Sequence, residues 1–275
     1  MSTAARIDTI GDISVLQLDA AGQTLPTATF GYTGSPADQT GLGRACPFGG
    51  RVVVGAAVPD SFSASNEQYR LLWRVAGSSG AGTPITDPFM TADFTTTTTR
   101  TPDPVTGLTP YLPSIANIHS VVGWWQTRGV VVDGTNEISL ERFDAVGNHL
   151  DQTQWYAVKT DNTPPTADIT LSGGSPCNKA DPGDTVGGTF TATDANFGWY
   201  SLDTLPASLN PPAPAHNPLS TTNPVPSGSW SLVTDGSWAQ CGYVVQLWVY
   251  DRSIVDSIPN SHNYGYDDVG FCLGL

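Results

Sequence analysis

The sequence predicts an all-β protein: two tandem antiparallel β-sandwiches joined by a short Pro-Pro linker. Three observations carry this. Strand-length runs of alternating or continuous apolar residues recur along the chain, and helical periodicity is nearly absent. Charged residues make up only 13%, and polarity comes from Thr, Ser, Asn, Gly and Pro, which suit turn-rich β proteins better than helices. The stretch VKTDNTPPTADITL, residues 158–171, sets Pro164 and Pro165 between two strand-like runs. At 275 residues the chain is long for one small sandwich and comfortable for two. The expected modules are residues 1–162 and 163–275.

The elements follow in order. DISVLQLD (12–19) alternates at its start. RVVVGAAV (51–58) and QYRLLWRV (68–75) are short apolar runs. PSIANIHSVVGWW (113–125) reads as a turn leading into a strand. NEISLERFD (136–144) and TQWYAVKTD (153–161) flank a turn-rich segment and read as a hairpin closing the first module. After the prolines the pattern restarts with ADITLSG (167–173), DTVGGTFTATD (184–194) and GWYSLDTL (198–205). CGYVVQLWVYD (241–251) is the strongest strand, with Tyr243, Val245, Leu247 and Val249 on one face. DVGFCLGL closes the chain. Two segments read as loops or edge decorations: the Thr/Pro-rich insertion 95–110 and the proline-dense 206–229, which cannot be a central strand.

Pro164 and Pro165 fix φ, remove two donors and restrict the residue before them, so the joint is short and stiff. A flexible tether would use Gly and Ser. A rigid joint suits a protein that projects something or bears load.

The net charge is −14 and the pI about 4.3. Such a surface repels phosphate backbones, which argues against nucleic acid as a partner, and it opposes docking on anionic lipid. No run of 18 apolar residues exists, so no membrane insertion is expected. The first residues lack the apolar core of a signal peptide. A larger secreted parent, export without a signal, and assembly onto a particle all remain open.

The residues AVGN, from the span Asp144–Asn148, with Asp161–Pro165 and the restart at Ala167–Leu171, resemble the joints of bacterial immunoglobulin-like (Big-type) modules in large surface proteins. GDTVGGTFTATDANFG and YVVQLWVYDRS are similar to the second and penultimate strands of such modules. The resemblance covers most of 130–275 and implies two immunoglobulin-like sandwiches. It implies an extracellular place, or one on a cell or particle surface. It says little of function, because this fold hosts many roles.

With strands running alternately up and down as in that fold, Cys177, Cys241 and Cys272 fall at the pole far from the joint. The implied disulfide is Cys177–Cys241 or Cys177–Cys272, each closing a long loop, with Cys46 left as a lone thiol. Four reduced, buried cysteines are the alternative. The same topology puts the 194–198 turn and the 251–266 loop near the joint. Asp161, Asp194 and Asn196 are then the candidate calcium ligands, in a cadherin-like arrangement. Against this, Asp and Asn are the standard turn residues. No cofactor is required, and calcium is admitted as an optional ion.

Eight tryptophans are many for this length and raise sugar stacking. In the pairs Trp124–Trp125 and Trp199–Tyr200, neighbours point to opposite faces of a strand, so one of each is core. Trp73 and Trp248 also read as core. Trp124, and Tyr264 and Tyr266 in the loop 260–268, are the candidate ligand contacts. No GxSxG, HExxH, P-loop or GxGxxG motif occurs, and the four histidines are scattered. The expected protein is therefore not an enzyme. It is structural or adhesive, with protein partners or self-assembly, and the alternative is carbohydrate binding through exposed aromatic residues.

Overall fold

In the computed structural model the described residues are 13–16, 47–56, 67–92, 97–110, 120–172, 179–206, 227–238, 242–256 and 261–274. All regular structure among them is strand. None forms a helix long and apolar enough to cross a membrane. The chain divides into two compact units. One comprises residues 1–162 with 253–261, and the other 163–252 with 262–275. The expected boundary at 162/163 did not foresee that 253–261 belongs to the first unit.

The first unit contains β1 (Ile13–Leu16), β2 (Phe48–Gly49), β3 (Arg51–Ala56), β4 (Gln68–Val75), β5 (Thr83–Pro84), β6 (Phe89–Ala92), β7 (Thr97–Arg100), β8 (Thr109–Pro110), β9 (Ser120–Gln126), β10 (Gly134–Phe143), β11 (His149–Gln152) and β12 (Tyr156–Thr160). One sheet has the order β1-β3-β9. The other runs β2-β12-β10-β4, with β2 parallel to β12 and the remaining pairs antiparallel. Between them lies a core of Phe48, Val52, Val54, Leu71, Trp125, Ile138, Leu140 and Val158. The chain returns β10 through β11 to β12. The Thr-rich segment is not merely a loop: Thr97–Arg100 pairs with Phe89–Ala92, because a β-branched run satisfies its backbone well in a ladder.

The second unit contains β13 (Thr166–Leu171), β14 (Lys179–Ala180), β15 (Thr185–Thr193), β16 (Phe197–Pro206), β17 (Ser227–Val233), β18 (Gly242–Asp251) and β20 (Tyr264–Leu273). The short β19 (Ile254–Val255) belongs to the first unit, where it pairs with β2. The sheets are β13-β15-β17 and β14-β20-β18-β16. Ile169, Phe190, Ala192, Trp230 and Leu232 of the first sheet meet Tyr200, Leu202, Tyr243, Val245, Leu247, Val249, Phe271 and Leu273 of the second. The inward parity of 243, 245, 247 and 249 is the one the sequence predicts.

The two units repeat one connectivity. The orders β1-β3-β9 and β2-β12-β10-β4 match β13-β15-β17 and β14-β20-β18-β16 strand for strand. In both, a two-residue strand pairs in parallel with a longer strand late in the unit, β2 with β12 and β14 with β20. Two sheets joined in this way have immunoglobulin-like connectivity.

Asn162 ends the first unit under tight control. Its Oδ1 accepts from the Gly50 N–H at 2.9 Å and from Thr127 Oγ1 at 2.8 Å, and its own N–H donates to Asp133 Oδ1 at 2.7 Å. In the second unit the Ile169 N–H, on the edge strand β13, donates to Asp267 Oδ2 at 2.9 Å. An inward carboxylate thus caps an edge that would otherwise present a bare donor.

Candidate functional site

The outward residues of β16, β18 and β20 form a register map. Trp199 lies opposite Tyr250, which lies opposite Tyr264. The next row is Ser201, Trp248 and Tyr266. The third is Asp203, Gln246 and Asp268. Five aromatic rings therefore occupy two adjacent rows of one sheet face, and two carboxylates flank an amide in the row beside them.

Local sequence explains the arrangement. The period of two sends Tyr243 through Val249 inward at alternate positions, which turns Gln246, Trp248 and Tyr250 outward. A register shift between Phe197 and Trp199 re-aims the start of β16. Gly198 sits at this bulge, where a Cβ would lie 2.6 Å from the Asp251 carbonyl oxygen. Trp199 then points out while Tyr200 is buried.

The rings support one another. Trp199 stacks on Tyr250 with centroids 5.0 Å apart and planes 14° apart. Trp248 meets Tyr266 at 4.6 Å and Tyr264 at 5.7 Å. His262 stands edge-on to Trp199 at 4.7 Å. Gln246 Nε2 donates to the Tyr266 hydroxyl at 2.8 Å, and Ser201 Oγ donates to Asp203 Oδ2 at 3.3 Å. Contact among the rings limits side-chain motion, so a ligand meets a surface already ordered. Even so, Tyr264 is 56% exposed, Tyr266 41% and Trp199 36%.

Two carboxylates, Asp203 and Asp268, stand beside the rings. Burial pushes the Tyr250 hydroxyl above the ordinary tyrosine pKa, and the Asp203 and Tyr264 charges add to this. Tyr266 is likewise raised, first by burial and then by its hydrogen bond to Asp268. Among the described residues neither Asp203 nor Asp268 has an ion-pair partner.

The equivalent face of the first unit differs. There Arg70 pairs with Glu141 at 2.5 Å and Arg74 with Glu137 at 2.7 Å. The Arg74 guanidinium also lies 4.0 Å over the Trp155 ring. These four charges are paired, and the Trp155 ring is covered.

Tyr264 and Tyr266 are thus strand residues on one face, rather than tips of a loop, because β20 begins at Tyr264. Trp124 lies in the first unit on β9. It is half-buried against that unit's core, with the Arg51 guanidinium 4.1 Å over its ring. Trp248 is half-buried on the outward face and not in the core, because its parity opposes that of Leu247. Trp73 packs against the first core, as the sequence suggests. The sequence puts Trp248 in the core and leaves open which of Trp199 and Tyr200 points outward, and it does not single out Tyr250. Outward parity at 246, 248 and 250, set against the alternation of 264 and 266, was the signal.

Among the proposed calcium ligands, Asp161 is buried in the first unit, where its N–H donates to the Phe48 carbonyl. Asp194 and Asn196 lie together in the second unit, in the turn between β15 and β16. Asp194 Oδ1 accepts the Asn196 N–H at 2.5 Å, and the Asn196 carbonyl accepts from the Arg252 N–H. Asp251 of the same unit is fully buried and accepts twice from Asn263. The acidic segment at 144–151 is turn chemistry. The Asn148 side chain, and then its main-chain N–H, hold the Asp144 carboxyl below its ordinary range.

Cys272 carries a free, exposed thiol. Its register partners are Gly242 and Lys179. Cys46, Cys177 and Cys241 lie outside the described residues, as do His119 and His216. His149 packs edge-on to Phe143 and lies 3.7 Å from Glu141.

No protein-family model matches the chain, and no curated protein matches it in sequence. Solved structures similar to it include the FN1–FN3 domains of chicken CNTN1. Those share 9% identity at a TM-score of 0.35, over 83% of this chain and 63% of that one. A marsupial T cell receptor shares 11% identity at a TM-score of 0.45, over 84% of this chain and 70% of the receptor chain.

Proposed function

We propose that this is a non-enzymatic adhesive protein of two tandem immunoglobulin-like modules, held by the stiff Pro164–Pro165 joint. In this reading it is displayed on a bacterial cell surface, filament or particle, and its second unit binds carbohydrate. The supporting observation is the outward aromatic face of β16, β18 and β20, with Asp203, Gln246 and Asp268 beside it. Aromatic rings accept the apolar C–H faces of sugar rings, while carboxylate and amide groups bond the hydroxyls at the rim. Tyr264→Ala is expected to weaken glycan binding by about tenfold or more, as for a hot-spot aromatic, with the melting temperature little changed. Glycan-array screening followed by calorimetry checks this. A purified chain that binds no glycan and instead assembles into fibres would replace the reading with a purely structural one.

Calcium enters the proposal as a structural ion of the second unit. Asp194 and the fully buried Asp251 hold carboxylate oxygens within 4.8 Å of one another, a like-charge pair that a cation relieves. EDTA is then expected to lower the melting temperature by several degrees, and calcium to restore it. A melt unchanged by both removes calcium from the account.

A further inference from the structure

We infer that the carbohydrate bound by the aromatic face carries protonated amino groups. This deepens the proposed function and rests on it.

Asp203 and Asp268 occupy strands on either side of Gln246. At about 4.8 Å per strand step, their backbones stand about 9–10 Å apart. One metal ion needs its oxygens at about 2.3–2.6 Å, so these two carboxylates are badly placed to share a cation. They suit a ligand that presents positive charge at two points, as an oligomer does. In the first unit the outward carboxylates of β10, the counterpart of β18, are Glu137 and Glu141, and they are neutralised by Arg74 and Arg70 of β4. The second unit places no arginine or lysine opposite Asp203 or Asp268. Over its whole length that unit has nine aspartates against Lys179 and Arg252. Its field attracts cations and repels acidic sugars. At Tyr250 the Asp203 charge adds to burial in raising the pKa, and at Tyr266 the Asp268 hydrogen bond adds to burial in the same direction. Ring faces exposed in such a field also attract ammonium groups directly.

Within this arrangement sugar rings lie against Tyr264, Tyr266 and Trp199. The ammonium groups project over the third row towards Asp203 and Asp268. The neutral Gln246 between them bonds a hydroxyl.

The test titrates the full chain with glucosamine oligomers, their N-acetylated counterparts, glucose oligomers of equal length, and an oligolysine of equal charge. Glucosamine oligomers are expected to bind about tenfold tighter than either neutral series. That preference should shrink with added salt. The double variant D203N/D268N should bind glucosamine oligomers no tighter than neutral ones, and an unchanged melting temperature shows that it folds. Equal affinity for neutral and aminated oligomers overturns this inference and leaves carbohydrate binding standing. Absence of binding to every oligosaccharide overturns both. Oligolysine bound as tightly as the glucosamine oligomer also overturns the inference, in favour of a basic peptide.

Discussion

Leu247→Ala is expected to destabilise the second unit by about 3–4 kcal/mol, while Trp248→Ala costs about 1 kcal/mol and abolishes glycan binding. The two residues are neighbours on β18 and differ only in parity. Leu247 is fully enclosed between the sheets, among Leu202, Val245 and Val249. Its truncation forfeits transfer energy and leaves a void in a close-packed interior. Trp248 lies on the other side of the same backbone, against Tyr264 and Tyr266, and is half solvated. Its loss removes a ring from the platform and lets the two tyrosines move. Urea unfolding followed by circular dichroism gives the stabilities, and calorimetry with a bound oligosaccharide gives the affinities. If both substitutions cost stability equally and neither touches binding, the outward face is only a covering for the core.

Gly188→Ala is expected to cost more than about 3 kcal/mol, for a reason no side-chain contact supplies. Gly188 stands opposite Leu171 in the β13–β15 ladder. A Cβ there would lie 1.8 Å from the Thr170 carbonyl oxygen, which is backbone and cannot swing away. The clash is relieved only by parting β13 from β15. That frees ladder hydrogen bonds and uncovers Ile169. Gly236 is the control. A Cβ there would meet nothing nearer than Pro182 at 3.8 Å, so Gly236→Ala should stay within about 0.5 kcal/mol of the parent. Hydrogen exchange at Thr166–Leu171 separates a local parting of β13 from loss of the whole unit. Full protection of that strand in Gly188→Ala would show that the backbone accommodates a methyl group, against the geometry.

Much of the strand pattern is legible in the residues. Gln68–Val75 and the core of Gly242–Asp251 are long, apolar or strictly alternating, and their composition leaves no competing helix. Tyr243, Val245, Leu247 and Val249 announce a buried face because parity alone sorts them. The Thr-rich strand β7 was hidden. Thr99 is exposed, so that segment shows no hydrophobic alternation, and its place is set by pairing with β6. The excursion of residues 253–261 was hidden too. Ile254 and Val255 are apolar and buried, but a two-residue run carries no period.

The candidate site shows the same division. Tyr264 and Tyr266 stood out as aromatic residues of a turn-rich segment read as a loop. Trp124 stood out equally, yet it lies in the other unit beneath Arg51. Nothing in the linear chain says which of several outward aromatic residues share a sheet face. Register between strands decides that, and it is set by pairing across 51 positions between Trp199 and Tyr250 and 14 between Tyr250 and Tyr264.

By itself, then, the sequence determined the all-β class and the inward face of the strongest strands, because hydrophobic period is a local property of the chain. Only the tertiary structure decided which distant strands became neighbours. It thereby brought Trp199, Trp248, Tyr250, Tyr264 and Tyr266 to one face with Asp203 and Asp268. Hydrogen-bond register between remote segments is a property of the closed sheet, with no counterpart along the line of residues.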